Sequence, residues 1–149
     1  MKNILEYFEA TTKRFPEKIG FTDSERKASF TETMQHAKAI GSALSLYGNR
    51  KPVAILIDKS VNCIDAMLGV LYAGDFYIVV DVHSPLDRIE NILSVLDDPL
   101  IVTDEQSEHI AKDLEVEYFL YEKLAATEEN PAALDDVRAR MCDMDTAYI

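Results

Sequence analysis

The stretch LGVLYAGDFYIVVDVHSPLDRI, residues 68–89, decides the fold. It reads as the end of a helix, a stop at Gly74, a strand from Tyr77 to Val80, a tight loop and the start of another helix. The strand shows no polar alternation, so both its faces are expected to be buried, and it closes on a carboxylate, Asp81. Two more runs share the pattern. PVAILI, residues 52–57, leads to Asp58, and LIVT, residues 100–103, leads to Asp104. Strands covered on both faces belong to parallel sheets flanked by helices. A helical pattern follows each run, so right-handed strand–helix–strand crossovers are expected. The predicted fold class is α/β: a mostly parallel sheet with helices on both faces, layered in the doubly wound manner.

Outward from this centre, other elements carry their own signals. Ile4, Phe8, Thr11 and Phe15 mark a first helix over residues 2–14, which Pro16 ends. KIGFTD and KASF predict a strand pair turning at Ser24, Glu25 and Arg26. Ser29 followed by Glu32 is a capping box, and Phe30, Met34, Ala37, Ile40 and Leu44 then recur at helical spacing. Ser60 caps a helix that is apolar almost all round, so neighbours must cover most of it. Pro85 is expected at the first helical position of the next helix, ahead of Leu86, Ile89, Leu93 and Leu96. Ile110 and Leu114 mark a short helix, and EYFLY, residues 117–121, predicts a last strand. The organisation expected is an α/β subdomain over residues 1–122 and a loop-rich tail over 123–149 with one short helix. TAYI, residues 146–149, looks like the start of a new strand.

Composition narrows the class. The 149 residues are 48% hydrophobic and 28% charged, enough for one domain with a real core. A net charge of −12 argues against nucleic acid and against an anionic membrane surface, both of which call for a basic footprint. The amino-terminal stretch is interrupted by Glu6, Glu9 and Lys13 and reads as neither a signal peptide nor a membrane span. Cys63 and Cys142 form no disulfide framework and no metal-binding pair, so a reducing, cytoplasmic setting is expected.

Catalytic constellations are absent from the sequence: no phosphate-binding GxxxxGK[ST], no GxGxxG, no GxSxG and no HExxH. His36, His83 and His109 stand apart from one another and read as surface or loop histidines. Ser84 and Thr103 read as helix starts. Ligands of open α/β sheets gather beyond the carboxyl ends of the strands, which draws attention to Asp58, Asp81 and Asp104. The plain alternative for each is a turn or cap aspartate. No catalytic, cofactor-binding or metal-binding residue is assigned.

The order of the pieces resembles the amino-terminal part of adenylate-forming (AMP-binding) ligases. The branch it is most similar to is the amino-acid adenylation domains of nonribosomal peptide synthetases and the D-alanyl carrier protein ligases. SFTETM, with Ser29, Phe30 and Glu32, resembles the family's first core motif. Leu71, Ala73, Gly74, Tyr77 and Asp81 match its second, with Tyr72 in place of lysine and Val79 in place of proline. Pro85, Arg88 and Ile89 fit the following helix, and DTAYI looks like the lead-in to the family's phosphate loop. The Pro-x-Asp-Arg pattern from Pro85 to Arg88 resembles amino-acid rather than fatty-acid activators.

The resemblance implies an N-terminal scaffold fragment, inactive by itself. Its parent would use ATP and magnesium to form an aminoacyl-adenylate and pass the acyl group to a carrier-protein phosphopantetheine thiol. The implied partners are the rest of the adenylation domain, the carrier protein and an amino acid. The start at Met1, close to the family's first helix, suggests that the adenylation unit opens the polypeptide. Two alternatives stand beside this: a doubly wound signalling module with Asp58 as phosphoacceptor, and an interaction fragment that self-associates through uncovered surfaces into a homo-oligomer.

Overall fold

The computed structural model describes residues 3–149. The expected helix start at Lys2 and the reading of Met1 lie outside the described residues. Asn3 caps α1 (Ile4–Arg14) by accepting from the Glu6 amide. A two-stranded antiparallel ribbon follows, β1 (Ile19–Thr22) with β2 (Lys27–Ser29). It feeds directly into α2 (Phe30–Leu44) through the predicted capping box: Ser29 Oγ accepts from the Glu32 amide and Glu32 accepts from the Ser29 amide. A 3-10 turn, Ser45–Tyr47, ends that helix.

The main sheet is built from β3 (Pro52–Leu56), β4 (Phe76–Val79), β5 (Leu100–Thr103) and β6 (Phe119–Leu120). All neighbours are parallel, in the order β4-β3-β5-β6. The connections are α3 (Val61–Tyr72), α4 (Leu86–Ser94) and α5 (Glu108–Asp113). The chain steps from β3 to β4 on one side and then crosses to β5 on the other, so helices cover both faces.

The central strand shows the layering residue by residue. Val53, Ile55 and Ile57 pack with Ile40, Leu44 and Val70 from α2 and α3. Ala54 and Leu56 face the other way, onto Ile89, Leu93 and Ile110 from α4 and α5. Period-2 alternation sends successive side chains to opposite faces, so a strand apolar at every position must be covered twice.

Three expectations are corrected. The Tyr77–Val80 run is not buried on both faces, because β4 is the sheet's edge and Val79 is 45% exposed. Pro85 is the N-cap of α4 rather than its first helical residue, and its carbonyl accepts from the Arg88 and Ile89 amides. EYFLY supplies only the two residues of β6, after which Tyr121 opens α6 (Tyr121–Ala125). The segment after Lys123 carries the one further short helix expected of it. It completes α6 and forms α7 (Pro131–Arg140), whose Leu134 joins Leu5, Ala37, Leu71 and Tyr72 in a third apolar cluster. Sequence periodicity is weak there because only Leu134 and Val137 of α7 are buried. TAYI does meet the sheet: Tyr77 N–H donates to the Ala147 carbonyl at 3.1 Å and Ile149 N–H to the Tyr77 carbonyl at 3.2 Å, parallel to β4.

Candidate functional site

At the switch point between β3 and β5 lies a 460 Å³ cleft. Its carboxyl-end rim gathers Asp23, Asp58, Asp104 and Glu122 against Arg26 and Lys59. The helix amino ends that face it are already filled by the chain's own oxygens. Ser60 Oγ takes the Cys63 amide at 3.2 Å, and Asp23 Oδ2, from the β1–β2 turn, takes the Val61 amide at 2.7 Å. Asp23 Oδ1 also accepts from the Glu25 and Arg26 amides, and these backbone bonds hold its carboxyl below the usual range. Asp104 accepts from the Ser107 amide at 2.9 Å.

A second groove, 580 Å³, lies at the ends of β3 and β4 and is floored by Ile57, Val80 and Val82. Here Asp58 accepts from the Lys59 amide and from His83 Nε2 at 3.0 Å, which keeps its carboxyl low, and Asp81 accepts from the His83 amide. Asp58, Asp81 and Asp104 therefore serve turns and helix starts. Thr103 is not a helix start: it ends β5, and its hydroxyl donates to the Leu56 carbonyl at 2.8 Å.

These residues do not fit a nucleoside triphosphate. A phosphate needs free amides at a helix start and a positive field, whereas both helix starts carry carboxylates or hydroxyls and the rim is acidic. Nor, among the described residues, do three or more His, Cys, Asp or Glu side chains gather to hold a metal.

The polar centre that does form is buried. Asp65 is fully enclosed within α3. Its Oδ2 accepts from Arg26 Nη2 at 2.6 Å, Tyr121 Oη at 2.7 Å and His36 Nδ1 at 2.9 Å. Approach to a carboxylate at that distance requires a hydrogen on His36 Nδ1, so Arg26 at 3.3 Å from the same nitrogen is a neighbour, not a donor to it. Burial, with Asp65 beside it, pushes the Tyr121 hydroxyl far above its usual range and keeps it a donor. The cluster ties the β1–β2 turn, α2, α3 and α6 together.

A second tie joins α1 to α7: Arg138 Nη2 donates to Glu9 Oε1 at 2.7 Å, and Tyr72 Oη donates to the same oxygen at 2.9 Å. Sequence reasoning missed both. The available signal was Asp65 itself, a carboxylate in a helix apolar on nearly every side. Cys63, buried among apolar neighbours, has its thiol pushed up to about 11 by burial and is no nucleophile.

An AMP-binding enzyme family model matches residues 8–149. The chain is 29% identical over 115 residues to tyrocidine synthase 1 of Brevibacillus parabrevis, covering 76% of this chain and 11% of that protein. It is 30% identical over 134 residues to syringomycin synthase SyrB1 of Pseudomonas syringae pv. syringae, covering 87% and 21%. Among solved structures, a benzoate CoA ligase from Burkholderia xenovorans LB400 superposes with a TM-score of 0.76 at 17% identity, over 87% of this chain and 29% of that one. The nonribosomal peptide synthetase FmoA3, in a form bound to α-methyl-L-serine-AMP, superposes at 0.75 with 22% identity, over 83% and 14%. The chain thus spans about a tenth to a fifth of the curated relatives described here. With the family's sequence pattern running through nearly all of the layered sheet and its helices, the chain belongs to the AMP-binding enzyme family.

Proposed function

We propose that the chain is the amino-terminal scaffold of an enzyme that activates an amino-acid carboxylate at the expense of ATP. The observation that carries this reading is the family match over residues 8–149 together with peptide-synthase relatives. In the reaction, the carboxylate oxygen attacks the α-phosphorus of ATP, pyrophosphate leaves, and a carrier-protein thiol then takes the acyl group as AMP departs. No residue of this chain is assigned to either step. Its own residues set the sheet, hold β4 and the 147–149 ladder in register, and lock α1, α2, α3 and α7 together. ATP and magnesium, the carrier protein and a cytoplasmic site of action are parts of the proposal. No described helix is long and apolar enough to cross a membrane, and both cysteines are unpaired, which fits that location. Self-association belongs to the proposal as well, through the exposed apolar residues beside the 147–149 ladder, Val79, Tyr148 and Ile149. The phosphoacceptor alternative finds no support, because Asp58 already serves Lys59 and His83.

Amino-acid-dependent ATP–pyrophosphate exchange tests the reading. The 149-residue chain should show none above blank. The same chain extended by whatever coding sequence follows Ile149 should exchange with one member of a panel holding the proteinogenic amino acids and D-alanine. Exchange by residues 1–149 alone would overturn the scaffold role. Extended protein that answers only to aryl or fatty acids would overturn the amino-acid assignment.

A further inference from the structure

Among the described residues, Asp65, Asp75 and Glu122 each keep one oxygen buried and unbonded, and of these Asp75 is a buried residue with no side-chain donor on its other oxygen either, and it lines a cavity. Asp75 stands between Gly74 and β4 and is 3% exposed. Its Oδ1 accepts from the Lys51 amide at 2.9 Å, while Oδ2 is buried with no hydrogen-bond partner. Among the described residues the neighbouring cations each have another carboxylate: Lys51 Nζ contacts Asp98 at 2.5 Å, and Arg50 contacts Asp145 at 3.1 Å. Asp75 lines a 180 Å³ cavity. The end of α3 gives that cavity only Leu71 and Gly74, and the start of α1 gives it Asn3 and Ile4, none of them charged. The remaining wall is the 141–147 segment, which contributes two further carboxylates, Asp143 and Asp145. An ionised Asp75 can gain solvation only if water enters, and its new charge repels the one described wall that carries carboxylates, the segment with Asp143 and Asp145. It is joined to β4 through the Tyr77–Ala147 and Ile149–Tyr77 bonds.

We propose that Asp75 is a proton-operated latch on residues 141–149: neutral, it stays dry and the segment stays seated against β4; ionised, it draws water into the cavity and the segment lifts. Burial pushes this carboxyl up to about 6, against partial opposition from the Lys51 amide and from the Lys51 charge. The closed form holds its proton more tightly than an open form with an ordinary value of 3.8. Closure is therefore most favourable in acid and is lost as pH rises through about 6. The inference rests on the geometry of this chain and stands whether or not the proposed activity does.

The test is hydrogen exchange of the Tyr77 and Ile149 amides in the 149-residue chain, corrected for intrinsic rate, between pH 5 and 8. Protection should fall roughly tenfold over that range in the wild type and stay flat in Asp75→Asn. The three histidines are common to both proteins, so the difference isolates Asp75. A wild-type profile without slope, or the same slope in Asp75→Asn, overturns the latch. Should the variant fail to fold, the Asp75 carboxyl resonance in the wild type decides: a midpoint near 6 supports the proposal, and one in the ordinary carboxylate range ends it.

Discussion

On a single oxygen, Asp65 gathers a guanidinium, a phenol and an imidazole, and its other oxygen is buried without a bond. Removing one partner of a buried ion pair leaves a charge with nothing to offset its desolvation. Arg26→Met should therefore lower stability by about 3 kcal/mol in urea unfolding. A loss below ~0.5 kcal/mol, the scale of an ordinary surface change, would show that the cluster holds nothing together. The two thiols differ as sharply. Iodoacetamide at pH 8 should label exposed Cys142 and spare Cys63, giving one adduct on the native chain and two in denaturant. Two adducts on the native chain would contradict the burial of Cys63. The thiol contrast follows from the apolar run around Cys63 and the polar stretch around Cys142, whereas the Asp65 cluster was not legible at its own residues. The partners of Asp65 come from positions 26, 36 and 121, which only folding brings together.

Helices and strands were more legible than single side chains. The Ser29–Glu32 box, the Ser60 cap and the stop at Gly74, with φ +78°, are local chemistry and read directly from neighbouring residues. How closely two helices cross is not local. At the α2–α3 contact, a Cβ on Gly69 would stand 2.5 Å from Ile40 Cγ2 and 3.2 Å from the Ala37 carbonyl oxygen. Gly69→Ala would gain about 1 kcal/mol of helix propensity. The overlap should outweigh that and leave the protein ~1–2 kcal/mol less stable by chemical denaturation. A stabilised variant would mean that the helices part without cost. β4 shows the same limit for strands. Its apolar run is like that of β3, yet β3 is central and β4 is at the edge, because the crossover through α4 places β5 on the far side of β3.

For the molecule as a whole, the exposed apolar residues beside β4, Val79, Tyr148 and Ile149, and a net charge of −12 work against each other. Charge repulsion keeps copies apart at low salt, and screening shortens its reach to about 3 Å at 1 M ionic strength. Sedimentation equilibrium should show the average mass rising with salt, and Val79→Lys should suppress the rise. A strict monomer in high salt at high protein concentration would remove self-association from the proposal. The sequence by itself determined the α/β class, the order of elements through β5, the Ser29 and Ser60 caps and the family resemblance, because these depend on periodicity and on contacts a few residues apart. It also showed that no recognised catalytic motif is present. Only the tertiary structure decided which strand lies at the edge, that α7 folds back onto α2 and α3 and residues 147–149 onto β4, and that Asp65 and Asp75 are enclosed. It also decided that the strand-end aspartates cap the chain's own amides instead of awaiting a ligand. Those outcomes turn on which distant groups desolvate one another, and desolvation is set by what packs against a residue, not by what precedes it in the chain.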